Sequence, residues 1–248
     1  MGGADNQKRH TLCKGNDCNP FARSSSQALG ITGTRMYTPS HFEESRRSAL
    51  HTLIRAHPLA TLVTQSPAGI NAEHIPLLLL DSEERNGILQ GHVARANPLW
   101  ENISNGSEVL AIFQGPNRYI SPKWYPSKKE HGKVVPTWNY LVVHARGNIR
   151  WTQDPSWLRA HLDAATRTHE GSDRPWRVSD APSDFIQRML AAIVGFELTI
   201  SELRGKWKLS QNRSEEDRLG VIAGLKNEST TLATEMLSWM RGDSGGDA

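Results

Sequence analysis

Cysteine is almost missing from this chain. Of 248 residues only Cys13 and Cys18 carry a thiol, and both lie in a polar N-terminal stretch. A disulfide framework is therefore excluded for the rest of the sequence. With His10 the two thiols form His-x2-Cys-x4-Cys, three soft ligands without a fourth, so no metal site is expected there. Long apolar runs are missing too: the longest, Ile75–Leu80, is interrupted by Pro76 and falls far short of the roughly 18–20 residues that span a bilayer. No apolar segment follows the basic N-terminal residues, so no secretory signal is expected, and a cytoplasmic location is the expectation. Neither sign of charge dominates: 29 Lys and Arg stand against 26 Asp and Glu, a net +3, which by itself is too small to imply nucleic acid. There is no internal repeat. A Rossmann-type glycine loop, a Gly-x-Ser-x-Gly elbow and a His-Glu-x-x-His pair are all absent, which removes three common enzyme classes.

What is present suits one main folded domain. Residues 1–35 are rich in Gly, Ser, Asn and charge, too poor in apolar surface to offset the entropy of ordering, and are expected to be a disordered arm. The folded unit is expected from Met36 to about residue 226, followed by a C-terminal helix and tail over 227–248. Ser40-His41-Phe42-Glu43 fits a capping box at the head of a helix reaching Ala56. Strand-like runs cover 59–64, 69–80, 88–93, 108–114 and 134–151, the last long enough for two strands or one bent one. Helices are expected over 98–103, 156–168, 183–192, 214–225 and 229–240. Residues 195–202 and 207–210 supply the last two strands. The order argues for a mainly β, α+β architecture: a β-barrel with helical additions.

Two clusters carry the chemistry. In Gly205–Arg213, read as a strand, Trp207 and Leu209 point to a core while Lys206, Lys208 and Ser210 share the opposite face. With Gln211 and Asn212 they suit a planar, polar, anionic ligand; an ordinary solvated strand face has the same pattern. In Gly91–Trp100 a strand runs into a turn and a short helix, which gathers His92, Arg95 and Asn97. Arg offers a planar fork for a phosphate, and a helix beginning near Pro98 would add backbone N–H groups; a surface Arg beside a capping Asn is the plainer alternative. Trp138 and Asn139 offer an indole and an amide beside a possible ring-binding face, and His74 is a further candidate on a strand.

Taken in order, the segments Met36–Phe42, Glu73–Leu77, His92–Trp100, Tyr119–Pro126, Val135–Tyr140 and Lys206–Asn212 closely resemble the PaiB family, the FMN-binding negative transcriptional regulators. The resemblance runs from about Met36 to Leu225. It implies a split β-barrel of the flavin-binding type, FMN as cofactor, a homodimer with FMN at the subunit interface, and repression of protease-synthesis and sporulation genes. It also implies that His92, Arg95 and Asn97 meet the FMN phosphate, while Lys206, Lys208, Ser210 and Gln211 meet the pyrimidine edge or ribityl chain. His74, Trp138 and Asn139 would lie near the ring. Positive charge at the pyrimidine edge would favour the anionic reduced flavin. DNA is a possible partner, although no helix-turn-helix is evident and Lys123, Lys128, Lys129 and Lys133 cluster only in one loop-like stretch. Two alternatives remain from the same fold: an FMN-dependent oxidoreductase for a small molecule, and a haem-handling protein.

Overall fold

Two antiparallel strands of sixteen residues organise the molecule: Thr137–Thr152 and Ile193–Lys208 pair over most of their length, from Tyr140 opposite Lys208 to Thr152 opposite Gly195. In chain order the computed structural model contains β1 (Glu43–Glu44), α1 (Arg47–Ala56), β2 (Leu59–Ser66), β3 (Gly69–Pro76), β4 (Leu78–Leu80), β5 (Ile88–Ala94), α2 (Leu99–Asn102) and β6 (Glu108–Ile120). There follow α3 (Ser127–His131), β7 (Thr137–Thr152), α4 (Pro155–Glu170), α5 (Ser183–Ala191), β8 (Ile193–Lys208), α6 (Glu215–Glu228) and α7 (Thr231–Arg241). It describes residues 35–82 and 86–242. The arm and its Cys13, Cys18 and His10 lie outside the described residues. From Met36 onward the chain clusters as one compact unit.

The sheet runs β3-β2-β6-β7-β8-β5-β4, with β1 added on β8. Its two outer members, β3 and β4, are separated in sequence by Leu77 alone. One stretch of chain thus pairs with β2 up to Pro76 and with β5 from Leu78 on, so the ends of the path meet and the sheet curls into a split barrel. Pro76 suits that break because it has no N–H to give to a continuing ladder. Inward residues from the strands, among them Leu62, Phe113, Leu141, Phe196 and Leu198, fill the interior with α1's Leu50, Leu53 and Ile54.

The bend in the long ladder comes from a β-bulge. Arg146 pairs with Glu202 and Gly147 pairs with Ile200, which leaves Ser201 without a partner position. Before the bulge the even residues Val194, Phe196, Leu198 and Ile200 are buried; beyond it the odd residues Gly205, Trp207 and Leu209 are. One extra residue reverses which side chains enter the core. The bulge is held from both sides: Ser201 Oγ donates to the Arg146 carbonyl (3.2 Å), and Asn86 Nδ2 donates to the carbonyls of Ile200 (3.4 Å) and Ser201 (3.2 Å).

Several expectations are corrected here. The last two strands are one, because the bulge carries the ladder across residues 202–207. The helix beginning at Ser40 is a 3-10 turn, Ser40–Phe42, followed by β1; Ser40 makes no side-chain cap, and α1 starts only at Arg47. There the Glu44 carboxylate accepts from the Arg46 backbone N–H (2.8 Å). The lysine-bearing stretch from Lys123 to Lys133 is a 3-10 turn, Pro122–Trp124, plus the short α3 rather than a loop. Helix α7 adds Ala233, Met236, Leu237 and Met240 to the main core.

A side chain at Gly147 has no room: a Cβ there would lie 2.1 Å from the carbonyl oxygen of Thr199 across the ladder. Gly147→Ala should therefore lower stability by about 2–3 kcal/mol, read as a lower urea midpoint at unchanged m-value.

Candidate functional site

The half of the ladder beyond the bulge presents a cationic and aromatic face. Tyr140 pairs with Lys208 and Val142 with Lys206, so these four side chains lie together on the outer surface. Trp138 precedes them on β7 and meets Tyr119 of β6 across the next ladder, ring centroids 6.0 Å apart edge to face. Trp138 is 53% and Tyr119 45% exposed, an unusual pair of open rings. Lys206 Nζ donates to the Tyr37 carbonyl (2.9 Å) and sits 5.7 Å and 5.5 Å from the ring centroids of Tyr37 and Tyr140. Lys208 Nζ donates to Thr137 Oγ1 and to the Trp138 carbonyl (2.6 Å), 6.0 Å from the Phe42 ring. Burial, helped by Arg213 and Lys206, pushes the Lys208 ammonium down from its usual range. An ammonium has three N–H donors, so both lysines keep donors for a ligand. Open ring faces beside paired cations fit a planar molecule with an anionic edge.

The other candidates on this strand end have a different place. Asn139 and Ser210 are buried and bond each other, amide to hydroxyl at 3.1 Å in both directions. Ser210 adopts φ +67°, where the chain leaves the strand. Gln211 folds back: its Oε1 accepts from Leu209 N–H and its Nε2 donates to the Trp207 carbonyl, both at 2.6 Å. These three side chains build the turn that fixes the end of β8, and the lysines and Trp138 are what the face offers to solvent.

The second cluster does not converge as the sequence pattern suggested. Arg95 donates from Nε to Ala191 O (2.6 Å), from Nη2 to Ile193 O (3.1 Å) and from Nη1 to Gln153 Oε1 (2.6 Å), clasping the link between α5 and β8. Asn97 Oδ1 accepts from Leu99 N–H (2.9 Å), and α2 is only a four-residue turn. Asn97 lines a cavity of about 350 Å³ with Ser66, Asn71 and Glu73 and no cation, a poor seat for a dianion. His92 faces α4, where its Nδ1 lies 3.1 Å from His161 Nε2. His74 is exposed on β3, opposite Thr61.

Nor do the two clusters meet within one chain. His92 pairs with Gly195 and Val142 with Lys206, so they are eleven positions apart on β8, about 36 Å of strand. The cation–aromatic face brings open rings and two ammonium groups together, and the Arg95 fork is engaged by three protein acceptors.

Two residues of this face, and one buried histidine away from it, were not legible as candidates. Tyr140 and Tyr119 enter through cross-strand register, which only the ladder fixes. His161 is 4% exposed and stacks on Trp157 at 5.3 Å; its Nδ1 has no partner among the described residues. Burial and the neighbouring His92 hold its pKa down at about 4, and burial lowers His92 as well.

Comparison with known proteins gives the following. The family described as "Putative FMN-binding domain" matches residues 36–202. An uncharacterised protein of Emericella nidulans is 36% identical over 231 residues, covering 79% of this chain and 92% of the relative. The protease synthase and sporulation protein PAI 2 of Bacillus subtilis is 29% identical over 205 residues, covering 83% of this chain and 96% of the relative. Among solved structures, a FAD- and haem-binding protein of Mycobacterium smegmatis superposes with TM-score 0.50 at 17% identity, over 67% of this chain and 73% of that one. At that identity the likeness concerns the fold.

Two predictions follow from this geometry. Arg95→Ala removes three hydrogen bonds from a charged donor and should lower stability by about 2–3 kcal/mol in urea unfolding. Its effect on flavin affinity should be no larger for FMN than for riboflavin in parallel titrations. The histidine pair makes stability fall in acid: His161 charges near pH 6.5 when unfolded but only near 4 when folded, so the unfolded state binds more protons in between. Stability should be full above about pH 6.5 and decline toward pH 4. His161→Phe keeps the ring stack and should flatten that decline in urea midpoints measured across the range.

Proposed function

From the premise that this chain belongs to the FMN-binding domain family, we propose that it is a homodimeric, cytoplasmic FMN-binding regulator of the PaiB type, with the cofactor as ligand or redox sensor. The single observation that carries the site is the cation–aromatic face of β7 and β8. Trp138 and Tyr119 give a planar ring two exposed aromatic neighbours, and Lys206 and Lys208 face it with positive charge. Bound FMN supplies a ring system that exchanges electrons and gains negative charge on reduction. The lysines favour that charged form and so couple the redox state to the electrostatics of the face.

The dimer is supported by what the sheet leaves open. Outer side chains of β2, β3 and β6 continue the same surface, where Leu59 (61% exposed) and Ile70 (77% exposed) lie among polar neighbours such as Thr61 and His74. A second copy of the chain is the occupant that would also bring phosphate donors from another part of the fold to the ring-binding face. The regulatory role rests on the Bacillus subtilis relative, which is named for protease synthesis and sporulation. Among the described residues no helix is long and apolar enough to cross a membrane.

An absorbance spectrum of the purified protein followed by FMN titration tests this reading. Flavin bands, one FMN per chain and a dimer in sedimentation are expected. Lys206→Ala and Trp138→Ala should each weaken FMN binding about tenfold, the equivalent of roughly 1.4 kcal/mol. A monomer that still binds FMN stoichiometrically would overturn the interface, and sustained NAD(P)H oxidation with turnover would make the protein an oxidoreductase instead of a sensor.

A further inference from the structure

Helix α4 and the segment that returns from it to α5 enclose a cavity of about 530 Å³ that the flavin reading does not use. Three of its walls are guanidinium groups. Arg159, Asp163, Thr166 and Arg167 are spaced along one side of α4, and Trp176 and Arg177 close the opposite wall. Arg159 is bonded to Asp163 at 3.0 Å, whereas among the described residues Arg167 and Arg177 make no ion pair. The lining charge is three cations against one carboxylate, a surplus of two. The Trp176 indole is 47% exposed. Beyond it a second cavity of about 310 Å³ shares Thr166 and Trp176 and is walled by His92 and His161. Glu170, whose carboxylate accepts from the Trp176 backbone N–H (3.2 Å), and His169 also line that second cavity, so the surplus of positive charge lies on the α4 arginine side.

We propose that this groove is a second binding site, for a phosphate monoester that carries a planar ring. Guanidinium forks match phosphate oxygens in pairs, and a surplus of two charges matches the dianion. The half-open indole gives the ring a stacking surface on the side away from the arginines. Cavities of this size are ordinary for small-ligand sites. The groove lies where α4 packs on the start of β8: the space beside Gly195 is filled by Trp157, and Lys206 is eleven positions along the strand. Within one chain the groove and the flavin face are therefore separate places, and the test distinguishes them.

The test uses the full chain saturated with FMN and titrated calorimetrically with adenosine 5′-monophosphate, adenosine and inorganic phosphate. One equivalent of the monophosphate per chain is expected, with adenosine and inorganic phosphate each binding at least about tenfold more weakly. Arg167→Gln and Arg177→Gln should each reduce the monophosphate affinity about tenfold. Trp176→Leu should reduce it for the monophosphate and leave inorganic phosphate unchanged. All three side chains are exposed, so melting temperature and FMN content should match wild type. No saturable binding at millimolar monophosphate would overturn the proposal, and so would binding undiminished in both arginine variants. Inorganic phosphate binding as tightly as the monophosphate would overturn the ring-bearing ligand. Release of FMN mole for mole would mean that the probe had entered the flavin site, which also overturns the proposal and leaves the flavin reading standing.

Discussion

The unpaired Ser201 decides what the long ladder can present. Alternation along a strand is strict, so inserting one residue exchanges its two faces. Without the bulge, the even positions buried from Val194 to Ile200 would continue and carry Lys206 and Lys208 into the core. With it, Trp207 and Leu209 enter instead and the two cations face outward beside Tyr140. Burying two unpaired ammonium groups would cost several kcal/mol each, which is why the bulge belongs to the fold rather than decorating it. Its support is correspondingly specific: the Asn86 amide on two carbonyls, the Ser201 hydroxyl on a third, and Gly147 opposite with no Cβ to collide.

The same bend separates the functional regions. One half of the ladder carries α4, α5 and the histidine pair, and the other half carries the lysines and open rings. Arg95 belongs to the first half, where its three donors hold the carbonyl end of α5 against the start of β8. The chain thus has a clamp where the sequence pattern suggested a phosphate anchor. The phosphate of a flavin whose ring lies at the lysine face would not reach Arg95 within one chain, and in the proposed dimer a second copy would supply further donors.

Much of this was readable from residue order. The inward positions of Trp207 and Leu209 and the outward pair Lys206 and Lys208 follow from local alternation within one short run. The fold class follows from the sequence of strand-like and helical runs, and the ordered motifs identified the family. What local pattern could not give was partnership. Asn139, Ser210 and Gln211 have the same polar character as ligand-binding residues, but the chain reversal at Ser210 turns them onto one another and onto backbone groups. Arg95 was likewise ambiguous, because two of its acceptors are carbonyls almost a hundred positions away and the third is the Gln153 side chain, itself remote in sequence. The bulge itself was invisible for the same reason: Ser201 is unremarkable until Arg146 and Gly147 fix the register across from it.

A physical distinction separates the candidates that serve the fold from those free to serve a ligand. Asn139, Ser210 and Gln211 have polar atoms matched by protein partners, so a ligand could reach them only by displacing bonds that close the strand end. Lys206 and Lys208 each hold a backbone carbonyl, yet an ammonium has donors left over and remains half open to solvent. The carbonyl contacts restrict the two long side chains before any ligand arrives, which lowers the entropy lost on binding. The depressed pKa of Lys208 points the same way: its charge is already partly desolvated and repelled by Arg213 and Lys206. An anion placed there relieves that repulsion as well as forming new bonds, so the face gains more from a negatively charged ring edge than from a neutral one.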